Sequence, residues 1–215
     1  GSYNNVLGVA ALGADTQGSR TIAIGHGALA AQNLSTATDT YNIAIGHNAG
    51  DTITTGVHNI LIGGLAGDSL TDADFNVAIG TSALGADTLG SKSVAIGEGT
   101  LQFQNFSTAT DSFNVAVGYE AANDITTAVQ NVCVGGHAGA KITTGNYNVC
   151  LGNTAGNHGS PITDGTRNIM IGAYAHTSSA SAADQLVMGY NVTSAGDSNF
   201  TFGNGSTDSN IAFGA

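Results

Sequence analysis

The scarcest feature of this 215-residue chain is positive charge: four Lys and Arg stand against fifteen Asp and Glu, a formal net charge of −11. A phosphate-binding face needs clustered Lys and Arg. Arg20, Lys92, Lys141 and Arg167 are scattered, so neither nucleic acid nor an anionic membrane is an expected partner. Charge of either sign is rare, at 9% of residues against 41% hydrophobic, the opposite of the balance that keeps a chain disordered. Tryptophan is absent, and proline occurs once, at Pro161. No window of about 18 consecutive apolar residues is present to span a membrane. No charged-then-apolar signal segment opens the chain, and Gly1-Ser2 reads as a cloning remnant ahead of an excised fragment. Also missing are a P-loop, a nucleophile elbow and a Cys-x-x-Cys pair. The expectation is a non-enzymatic protein with no cofactor and no metal.

What the chain has is glycine, 32 residues of it, and a repeat. Asn42-Ile43-Ala44-Ile45-Gly46 returns as Asn59-Ile60-Leu61-Ile62-Gly63. The closing glycines are Gly8, Gly25, Gly46, Gly63, Gly80, Gly97, Gly118, Gly135, Gly152, Gly172, Gly189, Gly203 and Gly214. Their spacings run 17, 21, 17, 17, then 17, 21, 17, 17, then 20, 17, 14 and 11. Residues 8–79 and 80–151 are therefore a tandem duplication of 72 residues, and 152–215 are irregular, shortening coils. We take residues 1–215 as a single repeat domain.

A Val/Ile run closed by Gly reads as a strand entering a tight turn. Seventeen residues are too few for a crossover helix, since a βαβ unit needs roughly 30. The chain must coil, laying each strand on the last at about 4.8 Å, as a parallel β-solenoid. The Val/Ile pairs are expected to fill the inside. Alanines three residues beyond the glycine (Ala28, Ala49, Ala66, Ala83, Ala121, Ala138, Ala155, Ala175) are expected as a second inner column, and the motif-leading Asn residues as an amide ladder. The middle strand position then points outward. It carries Ala23, Ala44, Leu61, Ala78, Ala95, Ala116, Cys133, Cys150 and Met170, and an exposed apolar stripe of that kind marks a subunit interface. We expect identical chains to meet there.

The residues that carry the repeat match a family. "SVAIG" (93–97) and "NVAIG" (76–80), each followed by small residues and another glycine, resemble the head repeats of YadA-like trimeric autotransporter adhesins. "YNVTSAGDSNFTFG" (190–203) has that family's fourteen-residue spacing. The 17-residue coils with "TTG" turns (54–56, 143–145) are also similar to repeats of phage tail fibres. The resemblance covers roughly residues 4–214. It implies an all-β, left-handed parallel β-roll of about thirteen short coils, assembled as an intimate homotrimer. It further implies an extracellular place, on a bacterial outer surface or a phage virion tail fibre, and a surface glycan or protein receptor as partner. The alternative is a passive spacer; thirteen coils at about 4.8 Å make a rod of about 60 Å.

Recognition is usually carried by loops on a rigid scaffold. The two 21-residue coils insert "AAQNLSTATD" (30–39) and "QFQNFSTATD" (102–111). The candidate receptor contacts are Asn33, Leu34, Asp39, Phe103, Asn105, Phe106 and Asp111; the competing reading folds these loops back as a core cap. A third bulge, "NHGSPITDGTR" (157–167), holds the proline. Cys133 and Cys150 share one column a coil apart, either within disulfide reach or as small buried thiols. His26 and His47 are equivalent neighbours, but two ligands make no closed metal site. Asp72 and Asp74 read as a solvated turn, without the EF-hand pattern.

Overall fold

Each Asn/Ser/Thr-Val/Ile-x-Val/Ile-Gly run forms a three-residue strand whose neighbour is the same run one coil later. A computed structural model describes residues 1–212; Gly214, the last of the motif glycines, lies outside them. Two compact units result, Gly1–Phe113 and a second beginning at Asn114, a boundary that falls inside the second duplicated segment.

In the first unit β1 (Asn5–Leu7), β3 (Ile22–Ile24), β5 (Ile43–Ile45), β6 (Ile60–Ile62), β7 (Val77–Ile79) and β9 (Val94–Ile96) stack in parallel. The longer coils add two short parallel ladders, β2 (Gly18–Ser19) with β4 (Thr38–Asp39) and β8 (Gly90–Ser91) with β10 (Thr110–Asp111). In the second unit β11 (Val115–Val117), β12 (Val132–Val134), β13 (Val149–Leu151), β14 (Ile169–Ile171), β15 (Leu186–Gly189) and β16 (Asn199–Gly203) continue the pattern. The register is invariant, Ala23 opposite Ala44 and Cys133 opposite Cys150. The fold is an all-β parallel solenoid, with no helix among the described residues. It ends differently from expectation. β17 (Ser209–Ala212) turns back antiparallel on β16, so the described residues after Gly203 form a hairpin rather than another coil.

The strands face the opposite way from the sequence expectation. Ala23, Ala44, Leu61, Ala78, Ala95, Ala116, Cys133, Cys150 and Met170 are each 0% exposed within a single chain, so none of them can line a seam between chains. The flanking Val/Ile residues point out: Ile24, Ile45 and Ile96 are each 36% exposed. The reason is coil width. A 17-residue coil encloses a thin interior that must also hold the alanine column, which is fully buried at Ala28, Ala49, Ala66, Ala83, Ala121, Ala138, Ala155 and Ala175. Large side chains reach in from the other walls instead. Where the strand centre is Ala23, Ala78 or Ala95, a buried leucine stands four residues past the closing glycine (Leu29, Leu84, Leu101). Where the centre is Leu61, Cys133 or Cys150, that place is Gly67, Gly139 or Gly156. A β-carbon at Gly139 would stand 2.5 Å from Cys133 Sγ, and one at Gly156 2.7 Å from Cys150 Sγ. At these corners a large residue on one wall faces a small one on the other, as close packing requires, and each buried Leu or Ile contributes about 1.5–3 kcal/mol.

Two columns lock the rungs. The closing glycine takes a positive φ, 131° at Gly25, and a β-carbon there would meet the Gly46 carbonyl oxygen at 2.3 Å; no L side chain fits. The asparagine ladder forms, with its amides divided between rungs. The Asn59 N–H donates to Asn42 Oδ1 at 2.9 Å and the Asn76 N–H to Asn59 Oδ1 at 3.0 Å. The Nδ2 groups donate to a carbonyl fourteen residues on, Asn59 to Ala73 at 2.7 Å, or seventeen in the longer coil, Asn148 to Gly165 at 2.8 Å. Backbone groups at the corners are thereby satisfied without water, and no buried side-chain polar atom among the described residues lacks a partner.

Candidate ligand groove and outward faces

Each insertion is anchored by one buried apolar side chain, while residues 35–37 and 107–109 stay exposed. Leu34 and Phe106 are 8% and 5% exposed, so as receptor contacts both are corrected: they close the core, which is the competing cap reading. What draws the longer coil inward is a buried polar cluster. Isoleucine or leucine stands seven residues past the glycine at Ile53, Leu70, Ile125 and Ile142; the coils preceding and containing the insertion carry Asp87 and Gln104 there instead. Gln104 Nε2 donates to Asp87 Oδ2 at 2.6 Å and to Ser93 Oγ at 2.9 Å. The N–H groups of Gly90 and Phe106 donate to Asp87 Oδ1 at 3.0 and 3.3 Å. Burial raises the Asp87 carboxyl above its ordinary range, opposed by those hydrogen bonds. The first copy answers with Gln32, which receives Asn42 Nδ2 on its Oε1 at 2.9 Å.

The remaining loop candidates stay at the surface. Asn33 accepts from Thr16 Oγ1 at 3.3 Å and Asn105 from Thr88 Oγ1 at 3.1 Å. Asp39 is held by Arg20 at 2.8 Å and Asp111 by Lys92. Phe103 alone presents a large apolar surface, 50% exposed.

Phe103 does not act from its own loop. It lines a groove of about 270 Å³ with Leu65, Asp68, Ser69, Ser82, Gly85, Ala86 and Gln102, contributed by three successive coils. Leu65 adds a second exposed apolar side chain to the lining. Burial raises the Asp68 carboxyl, its own N–H opposes this, and the charge of Asp51 adds to the rise. A β-carbon at Gly85 would stand 3.4 Å from Asp68 Oδ1, so the glycine keeps that oxygen approachable. None of these groove residues except Phe103 was singled out from sequence. The usable signal was divergence between equivalent corners: Asp68 of the first copy becomes Ala140 in the second, and Gly85 and Ala86 of the second become Asn157 and His158 in the irregular coil that follows it.

A second surface is the residue preceding each motif. Tyr41, His58 and Phe75 take positive φ and stack, with ring centroids 5.3 and 4.8 Å apart. Arg20 sits over Tyr41 at 5.8 Å and Lys92 over Phe113 at 5.3 Å. Their faces are spent on one another, so the column offers ring edges outward.

His26 and His47 stack at 5.3 Å, and no group of three His, Cys, Asp or Glu able to hold a metal exists among the described residues. Cys133 and Cys150 are free, buried thiols; hydrogen bonding to Cys133 and then burial push the Cys150 thiol well up. No helix among the described residues is long and apolar enough to cross a membrane. Comparison with protein-family models, curated proteins and solved structures finds no match to this chain.

Proposed function

We propose that this chain is a non-enzymatic, homotrimeric fibre domain of an extracellular attachment protein, its coils handed and packed as in the adhesin heads its repeats resemble. The observation that carries the reading is the outer sheet face. In the first unit alone Ile22, Ile24, Ile43, Ile45, Ile60, Ile62, Val77, Ile79, Val94 and Ile96 all keep partial or full exposure, and no charged residue interrupts those positions. Monomeric proteins rarely leave a contiguous apolar patch of more than a few hundred Å². Identical strands on identical chains supply the matching surface, and rotation about an axis closes it. A bacterial outer surface or a virion tail fibre is the setting this assembly suits.

Sedimentation of the purified chain is the test, and a stable monomer at micromolar concentration rejects the trimer. The spacer reading gains from the burial of Leu34 and Phe106, which takes the large apolar side chains at those two positions out of reach of a receptor; the attachment reading gains from the groove at Phe103. Binding of the trimer to candidate cells separates them, since a spacer stays silent on every cell type.

A further inference from the structure

We infer that the groove between Leu65 and Phe103 is a binding site for one pyranose ring of a neutral glycan. The inference deepens the attachment reading and rests on it for its biological sense, while its chemistry stands on the groove alone. At about 270 Å³ the space falls just below the roughly 300–1,000 Å³ of sites for drug-sized ligands. One sugar ring fits; a folded peptide segment does not.

The walls match the two kinds of surface that a pyranose carries. Its C–H face is apolar and packs on an aromatic ring, and Phe103 offers half its surface, with Leu65 a second apolar side chain in the lining. Its rim is hydroxyl. The Asp68 carboxylate accepts from adjacent hydroxyls through charge-assisted hydrogen bonds. Ser82 and Gln102 each bring both a donor and an acceptor.

Charge narrows the class further. The side-chain cations of this unit are committed elsewhere, Arg20 to Asp39 and Lys92 to Asp111. The groove therefore presents a carboxylate with Asp51 nearby, which repels sialic acids, uronic acids and phosphorylated sugars. A metal ion is a poor occupant for a single carboxylate.

The chain supplies its own controls. The first copy has Ala31 where Phe103 stands and Ala30 where Gln102 stands; the second has Ala140 for Asp68, and the irregular coil after Gly152 has Asn157 at the place Gly85 takes after Gly80. Phe103→Ala, Asp68→Ala and Gly85→Asn are thus substitutions this solenoid already carries at equivalent corners, so each variant is expected to fold. A single ring of about a dozen heavy atoms binds with a Kd on the order of 1 mM, and a trimer would present three such grooves to a cell surface.

The experiment is ligand-observed saturation-transfer NMR on the intact chain with methyl glycosides of glucose, galactose, mannose and N-acetylglucosamine, and with N-acetylneuraminic acid. At least one neutral glycoside is expected to give a saturable signal concentrated on one C–H face. That signal should weaken at least about tenfold in Phe103→Ala and Asp68→Ala, and in Gly85→Asn as the added side chain fills the groove. Silence of every neutral glycoside well above millimolar concentration overturns the site. So does an undiminished signal in both alanine variants, or a preference for N-acetylneuraminic acid. Silent glycosides with cell binding retained reject the groove alone, whereas glycoside binding without cell attachment rejects the attachment reading alone.

Discussion

The coils that follow Gly63 and Gly80 and those that follow Gly135 and Gly152, 72 residues further on, are built from the same columns and differ most at the surface. Inside, the pattern is held: Leu61 and Cys133 share the strand centre, Leu70 and Ile142 the opposite wall, Ala66 and Ala138 the alanine column, all fully buried. Outside, Leu65 becomes His137, Asp68 becomes Ala140, Ser69 becomes Lys141 and Gly85 becomes Asn157. Burial and the closing glycine constrain one set, and nothing in the fold constrains the other. In a duplicated solenoid the places where copies disagree are where ligand chemistry can be installed without cost to the core.

The largest effect expected is at the strand centre. Ala95→Asp puts an unpaired carboxylate into a fully buried place, where breaking a favourable buried environment costs several kcal/mol. It should abolish the cooperative thermal transition seen by circular dichroism. Ile96→Asp, one residue on and on the outer face, should keep that transition. The reverse pattern would mean that the strand faces the other way.

Next comes the polar plug of the longer coils. Asp87→Ala strands the Gly90 and Phe106 N–H groups and takes one of its acceptors from the Gln104 amide, a loss of about 2–4 kcal/mol by denaturant unfolding. Asp15→Ala, the equivalent carboxylate in the first copy, is half-exposed and should cost distinctly less. Equal losses would break the distinction between a buried and an open plug.

The pH response sharpens the same contrast. The folded Asp87 carboxyl is raised above its ordinary value, chiefly by burial. Its stabilising contribution is therefore complete below the unfolded pKa and is lost as pH rises through the folded one. Melting temperature of the wild type relative to Asp87→Asn should climb as pH falls through the carboxylate range. Asp184 behaves oppositely: its hydrogen bond with Arg167, ahead of their charge attraction, lowers it, so its contribution fades as pH falls through that lowered value. A flat wild-type-minus-variant profile at Asp87 would show that the hydrogen bonds cancel the burial.

The smallest effect is chemical. Cys133 and Cys150 are fully buried, and hydrogen bonding to Cys133 together with burial keeps the Cys150 thiol protonated. Neither should react with iodoacetamide in the folded chain, and both should react on denaturation, read as mass increments. Fast labelling of the native chain would place this column at an exposed surface.

The periodicity made the solenoid legible, together with the glycine corners, the asparagine ladder and the alanine column. Strand polarity was not. Alternation in Val94-Ala95-Ile96 separates two faces without saying which is inside, and two large residues against one small favoured the wrong answer. Only coil width decides it, through Leu84 and Leu101 reaching in from other walls. The burial of Phe106 was legible as the cap reading of its loop, but what fixes it, a hydrogen bond from its N–H to Asp87 nineteen residues away, was not. Of the candidate site, Phe103 was legible as a departure from Ala31; its partners on neighbouring coils were not, since they belong to no loop.

If the outer Val/Ile face is where copies of this chain meet, mass in solution is the direct readout. Sedimentation equilibrium at micromolar concentration should give three chain masses for the wild type. The Ile45→Asp/Ile96→Asp double variant should give one, with its β-sheet circular dichroism intact. A monomeric wild type, or a double variant that stays trimeric, would contradict the assignment of that face.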